Sequence, residues 1–541
     1  MGTSERCLVA YMIAAAVCAT SAYGGATWYV TPTGTGGGAS WGDAGDLQTT
    51  VTSAAPGDEV WVAAGIYTAT GDTVLIMKEG IAVYGGFTGT ESEREQRDWE
   101  TNTSAIDGEN ARRCVIGADS GALDGFTITR GVADFGGGMY NHSVSCIVAN
   151  CAFTDNTAED AGGAIWNYFA TLAITDSTFS GNGAAFEGGA ISSYASSLET
   201  TDCVFESNTA LSGAGMHTLF AGSLVIANSA FTNNAAQYEG GGLYNGSSSP
   251  IVTDCSFSGN TARFGGGMYN ESSDTTLSRG LFQGNTATRD GGGLYNMGGS
   301  ATSVNCVFAG NEAARNGGAV AGFVGATQLM NDTIYGNAAG NAGGAIYSWD
   351  DASEATNCIL WDNTAASGSE IYSNNSAPLV RYSCVQGGYA GRANIDANPL
   401  FVDAANTDFR LQVESPCMES GTDADAPAQD IRGVPRPQGQ AWDMGAYETS
   451  VPVITIEGEA DITVECGMGY VDAGASAWDD IYLDLSGDIT ADNPVDTDVV
   501  GVYTVRYNVV NPFGVPAVEA TREVAVVNTS IPAITVIEDS P

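Results

Sequence analysis

Two histidines and a single lysine, Lys78, are the only basic side chains besides arginine in this 541-residue chain. Proton abstraction next to a carboxylate needs a basic residue and bound cations, and Lys78 lies outside the repeats described below. His142 and His217 are 75 residues apart, and neither has an acid partner at the same register. Asp176 and Asp202 are separated by 26 residues, so a fold with that period would set them side by side as the carboxylate pair that glycoside hydrolysis uses. They share their register with asparagines, which points to a structural role. Arg263, Arg289 and Arg315 recur at the same interval; stacked guanidinium forks suit carboxylate or sulfate, unless Asp290 and Glu312 simply neutralise a solvated edge. Tyr140, Trp166, Tyr244, Tyr269, Tyr295, Tyr347 and Tyr372 form an aromatic column that could stack on sugar rings or a partner protein, or on itself. Asp479, Asp480, Asp484 and Asp488 could supply oxygen ligands, although no EF-hand spacing is present. Ca²⁺ is the one cofactor the sequence offers.

The elements that position these residues are repeats. A Gly-Gly motif followed by an apolar residue recurs as GGGMYN at Gly136, GGAIWN at Gly162, GGGLYN at Gly240 and GGAIYS at Gly343, with steps of 25 to 27 residues between Met139 and Ile371. Between copies lies a second motif, with Phe at 153, 179, 205, 231, 257, 282 and 308 and Asn three residues after each. A small residue two before each Phe shares its strand face, because side chains alternate. The alternation breaks at Asn150, Asp176, Asp202, Asn228, Asp254, Asn305, Asp332 and Asn357, types that tolerate the left-handed backbone of a one-residue corner. Short strands, such corners and a period near 26 define a parallel β-helix, in which every coil stacks on the one before. The Asn column then reads as a ladder of amides bonding coil to coil.

These motifs resemble the right-handed parallel β-helix repeats of bacterial exported proteins, including the GGA(I/L) and FxxN repeats of polymorphic outer-membrane proteins. The opening segments TWYVTPTGTGGGASW, GDEVWVAAGIYT and LDGFTITRG are similar to the first coils of that family. The resemblance covers roughly residues 27–450 and implies an all-β, pectin-lyase-like fold with coils of about 26 residues. It implies little about activity, since members share a scaffold and not a function. Enzymes on this scaffold include polysaccharide lyases and glycoside hydrolases, the main alternative to a binding role.

Composition narrows the partners. Acidic residues number 63 against 18 basic ones, a net charge of −45, which excludes nucleic acid and anionic lipid as direct partners because both need clustered cations. Residues 1–22 read as a secretory signal with Arg6, an apolar run and small residues before the cut, so the chain is expected to be secreted or at the cell surface. Residues 27–130 would form the N-terminal cap and first coils, with Leu47, Val51 and Ala55 at helical spacing to cover the open end. Residues 131–396 carry the repeats and 397–449 resemble the closing segment of such surface proteins. Residues 450–529, with alternation at Tyr503, Val505, Tyr507 and Val509, resemble a bacterial immunoglobulin-like β-sandwich of the DUF5011 or HYR kind, and 530–541 repeat its opening. Cys151, Cys203, Cys255, Cys306 and Cys358 recur on alternate coils, roughly 9.6 Å apart, too far to bridge; Cys384 is the in-register candidate partner of Cys358. The expected function is non-catalytic adhesion, with glycans or cell-surface proteins as partners held along the aromatic column.

Overall fold

The computed structural model describes residues 25–412, 414–449, 451–479, 483–512 and 514–529. The segments expected to be a secretory signal and the opening of a second copy, and Asp480, lie outside them. The described residues fall into two compact units, one reaching to Ala397 and including Met444–Ala446, the other Asn398–Asp443 with the residues from Tyr447 onward.

The first unit is the β-helix. Each full coil passes through four strands, for instance Met139–His142, Ser145–Ala149, Ala152–Thr154 and Thr157–Ala161, here termed sheets I, II, III and IV. Stacked coil on coil, they make parallel sheets of 12, 14, 13 and 10 strands. The register joins residues one repeat apart, as in Met139↔Ile165 and Phe153↔Phe179. Identical residues therefore stand in columns, and the packing of one coil is the packing of the next.

Two columns hold the interior beside sheet III. The Phe rings of sheet III, Phe153 through Phe308, stack with centroids 4.6–5.0 Å apart and are fully buried; each contributes about 2 kcal/mol by leaving water. Beside them the Asn ladder runs from Asn156 to Asn363. In the rungs between the ends the side-chain amide donates to the preceding coil's Phe carbonyl and to the next Asn Oδ1, as Asn208 does to Phe179 (2.9 Å) and Asn234 (2.9 Å); at Asn156 and Asn363 the carbonyl is that of Ile128 and Ile334. The last rung has no Asn beyond it, and Glu370 closes the ladder by accepting from Asn363 N (3.2 Å) and Nδ2 (2.6 Å). Burial pushes the Glu370 carboxyl up to about 7.

The Gly-Gly motif is required by geometry at both positions. Gly162 has φ +68°, the left-handed region open to glycine. A Cβ on Gly163 would lie 2.3 Å from the carbonyl oxygen of Gly189 on the next coil. The Asn/Asp corner is present too, at φ 46–55° from Asn150 to Asn357. One member differs from expectation: the corner residue is Asn331 (φ 52°), not Asp332. Asp332 takes the next, inward place, where other coils carry Cys or Ser, and accepts from Cys306 N at 2.6 Å. Met444–Ala446 lie on this corner, with Gly445 N donating to Asn357 O at 2.7 Å.

The cysteines of the column are buried free thiols. Cys384 does not share their register: Ser383 stands opposite Cys358 and donates no sulfur, accepting Cys358 N through Oγ at 3.0 Å, while Cys384 pairs with Ile359. At the start of the unit, helix Leu47–Ser53 is capped by Asp46, which accepts from Thr49 N at 2.9 Å, and buries Leu47, Val51 and, just past its end, Ala54 rather than Ala55 in the core of the first coils.

In the second unit the closing segment is organised by a buried ion pair, Arg436–Glu448 at 2.8 Å, with Arg432 bonded to Asp430 at 2.7 Å. The sandwich sets a three-stranded sheet (Val453–Ile456, Ala475–Asp479, Leu483–Asp484) and a four-stranded one (Asp461–Glu465, Ala520–Val527, Gly501–Asn508, Thr490–Asp492). Its core gathers Val505, Tyr507 and Val524 around buried Arg522, which pairs with Asp472.

Candidate functional site

The Gly bend returns the chain from sheet IV to sheet I in three residues, so the last residues of a sheet IV strand lie beside the outward residues of sheet I. A cleft results, with the aromatic column as its floor. That floor is more enclosed than a surface ridge would be. Tyr244, Tyr269, Tyr295 and Tyr347 are 5–8% exposed. Their rings stack on one another, Tyr244 on Tyr269 at 5.4 Å and Tyr269 on Tyr295 at 5.1 Å, and Tyr347 on Tyr372 at 5.6 Å. Their faces are therefore taken, and only edges and hydroxyls reach the cleft. Burial holds the Tyr244, Tyr269 and Tyr295 hydroxyls above their ordinary range. Tyr140, Trp166 and Tyr372 are partly exposed; Arg113 sits over Tyr140 at 4.8 Å.

Two cavities open along the cleft and share Tyr269. The first, ≈ 270 Å³, is lined by Glu187, Ser212, His217, Glu239, Tyr244 and Glu271 among others. Ser212 donates to Glu239 at 2.6 Å and the Tyr244 hydroxyl donates to Glu271. His217 does have an acid partner, Glu187 of the previous coil, with Nδ1 3.6 Å from Oε2. Its ring stacks on Tyr244 at 4.4 Å. Burial lowers the His217 imidazole to about 3, so it is neutral at physiological pH, and burial raises the Glu187 carboxyl with a further push from Asp160.

The second cavity, ≈ 340 Å³, is cationic and aromatic, lined by Arg289, Arg315, Asp290, Asn316, Phe264 and Trp349 with the tyrosine edges. Arg289 lies over Phe264 at 5.1 Å and 3.5 Å from Asp290 Oδ2. Asn316 bonds the other Asp290 oxygen at 2.7 Å. Burial raises the Asp290 carboxyl, against the pull of Arg315 and Asn316. Arg263 does not line this cavity; it stacks over Tyr238 and Phe264 at 5.7 and 5.4 Å.

The other candidates are placed apart. Asp176 and Asp202 are exposed members of the corner column, where Asn228 bonds Asp202 and Arg279 bonds Asp254. Desolvation, and after it the negative charge of neighbouring Asp202, raises the Asp176 carboxyl. In the sandwich, buried Asp479 accepts from Asn511 at 3.1 Å and exposed Asp484 from Ser486 N at 2.9 Å. With Asp488 exposed elsewhere, the described residues hold no acidic group arranged for a metal ion. What residue-by-residue reading missed is the position just before each Gly pair. It carries acids at Glu187, Glu239 and Asp290, among Phe, Ala, Ser and Asn on the other coils.

With this geometry in hand, the class of protein is defined. Residues 139–313 match the model of the right-handed β-helix region and residues 454–526 that of the Ig-like domain of bacterial surface proteins. The chain is a right-handed parallel β-helix joined to a bacterial surface Ig-like domain. Among solved structures it is similar to a lipoprotein from Bacteroides thetaiotaomicron, 25% identical over 15% of this chain with a TM-score of 0.14. That match spans 39% of the lipoprotein's own length. It is also similar to pectate lyase Pel9A, 15% identical over 78% of this chain and 96% of that one, TM-score 0.37. A third is the Azotobacter vinelandii mannuronan C-5 epimerase AlgE4 A-module, 14% identical over 65% and 95%, TM-score 0.29. No curated protein matches the chain. Among the described residues no helix is long and apolar enough to cross a membrane.

Proposed function

We propose that the chain is an exported surface protein that binds an extended glycan or a partner's surface without cleaving it, along the cleft between sheets IV and I. The observation that carries this reading is the run of two cavities sharing Tyr269, the first walled by carboxylates and the second by Arg289 and Arg315. Consecutive coils offer repeated weak contacts, which gain avidity when a long partner spans them. The tyrosine faces are not the contact; the charged walls and hydroxyl edges are. Glycan-array binding tests the reading, with Arg289→Ala and Arg315→Ala together expected to weaken attachment about tenfold or more, the scale of a lost charge-assisted bond. Attachment unchanged in that variant would remove the cleft from the function.

One grouping favours a second reading, a carbohydrate-active enzyme. Glu187, His217, Tyr244 and Glu271 line one cavity, and an imidazole beside a carboxylate is a side-chain pair that general acid–base transfer uses once bound substrate brings the imidazole back toward its ordinary range. Release of unsaturated or reducing ends from a polysaccharide by the wild type, lost in His217→Ala, would establish this reading over the first.

A further inference from the structure

A separate surface stands out at the corner between sheets I and II. That corner is another left-handed column, running from Ser143 through Phe169, Ala195, Phe220, Ser247, Ser272 and Gly298 to Val324 and Asp350 with φ 48–64°; Val324 is bulky and exposed too, but it is aliphatic and stands alone. Serine and alanine are small enough for this conformation, whereas a bulky side chain there is strained. Phe169 and Phe220 nevertheless occupy it, and they are 55% and 51% exposed. They contribute little to the core, and what they gain is contact with neighbouring tyrosine rings at the surface.

Their orientation is specific. His142, Tyr168 and Tyr194, the last residues of three successive sheet I strands, form a stack with centroids 5.4 and 5.5 Å apart. Phe169 stands edge-to-face with Tyr168 (74°) and Tyr194 (78°), and Phe220 with Tyr194 (85°). The stacked rings lie across the coil direction, so the two phenylalanine rings lie along it, each turned against the stack that buttresses it. The two belong to alternate coils, roughly 9.6 Å apart at β spacing, with Ala195 leaving the place between them low.

We infer that Phe169 and Phe220 are twin platforms for an uncharged, extended β-1,4-linked glycan, a site distinct from the cleft. In such a chain each sugar is turned over relative to its neighbour, so the same apolar ring face recurs at every second sugar. That repeat matches rings on alternate coils with a small residue between them. Charge agrees with an uncharged ligand: Tyr168–Ala170, Tyr194–Ser196 and Leu219–Gly222 carry no ionised side chain, and a chain of net charge −45 repels polyanions. The inference shares with the cleft proposal only the premise that the protein binds glycans.

The test is binding of the full chain to cellohexaose and to insoluble cellulose, with laminarihexaose, which is β-1,3-linked, as the comparison. Asparagine is well suited to a left-handed corner, so Phe169→Asn and Phe220→Asn should keep or raise the thermal midpoint while removing the rings. Each is expected to weaken cellohexaose binding about tenfold, the scale of one aromatic stack, and the pair to abolish retention on cellulose. Phe169→Trp should retain binding. Leu379→Ala, which removes a 49% exposed apolar side chain from sheet II outside both sites, should leave cellohexaose binding unchanged. Wild-type protein that ignores cellohexaose, binds laminarihexaose equally well, or binds cellohexaose undiminished after both asparagine replacements would overturn the inference.

Discussion

Asn234→Ala, in the middle of the amide ladder, should destabilise the β-helix by about 3–5 kcal/mol, and the geometry says where that comes from. Asn234 Oδ1 accepts from Asn208 N at 3.1 Å and Asn208 Nδ2 at 2.9 Å, and its own Nδ2 donates to Phe205 O and Asn260 Oδ1 at 2.9 and 3.0 Å. Alanine leaves two donors of Asn208 and the Phe205 carbonyl facing a fully buried space. Each stranded group costs about 1–3 kcal/mol, and only partial relief comes from Asn208 Nδ2 keeping Phe179 O. Asn150→Ala is the control, because its amide bonds Asp124 at 2.9 Å on a part-exposed corner and its loss should cost about 1 kcal/mol or less. Guanidinium unfolding gives the total, and amide exchange locates it, since stacked repeats open locally. The coils holding Asn182, Asn208 and Asn260 should lose protection first. A cost for Asn234→Ala no larger than that for Asn150→Ala would refute the ladder as a determinant of stability.

Three further outcomes follow from the same columns. Burial pushes the Asp332 carboxyl up to about 7 from an ordinary 3.8; the folded chain then binds the proton more tightly than the unfolded one, so stability should fall as pH rises between those values. Asp332→Asn, which keeps the acceptor for Cys306 N, should flatten that slope in urea midpoints taken from pH 4 to 8, and an unchanged slope would remove Asp332 as its source. Burial also pushes the Cys203 and Cys255 thiols up to about 12, so an aromatic disulfide reagent at pH 8 should label half-buried Cys466 in the native chain long before either, and mass mapping should find no Cys203–Cys255 bridge. Tyr269→Ala, which opens a space in a stack only 6% exposed, should cost about 3 kcal/mol; a thermal midpoint equal to the wild type would show the tyrosine to be a surface residue after all.

The inward half of this molecule was legible in the sequence because the period makes it so. Phe153, Asn156 and Gly162 each stand in a column whose neighbours are the same residue type one coil away, and an identical column can satisfy itself at every step. Legibility failed where the anchor changed identity. With Ile334 in place of Phe, the Asn331-Asp332 pair offered two plausible corners, and the acidic residue that seemed to belong outside belongs inside. Register failed again at Cys384, where a one-residue offset exchanges the two faces of a strand. The outward half was less legible for a different reason. Whether Tyr269 is a ridge or a floor depends on how far the end of sheet IV and Phe264 reach over it, and no alternation pattern within one strand contains that distance. His217 seemed unpartnered because its acid, Glu187, comes from the other side of a Gly bend.

Breaks in the repeat are therefore the informative positions on the outside. A coil stacks on its neighbour through backbone bonds and inward side chains, so an outward residue can change without loss of fold. The aromatic column is interrupted at Ser192, His217 and Ala321. His217 lines the carboxylate cavity. Ala321 removes a ring between Tyr295 and Tyr347, and Phe323 enters the gap, 5.2 and 5.4 Å from them, at the edge of the cationic cavity. Phe169 and Phe220 interrupt the small residues of the corner column between Ser143 and Gly298 in the same way. At each of these breaks a side chain is present that stacking does not require, and at Phe169 and Phe220 the backbone is strained as well. Recognition is expected there rather than along the unbroken stretches, where the tyrosine faces and the amides of the Asn156–Asn363 ladder are already taken by the next coil.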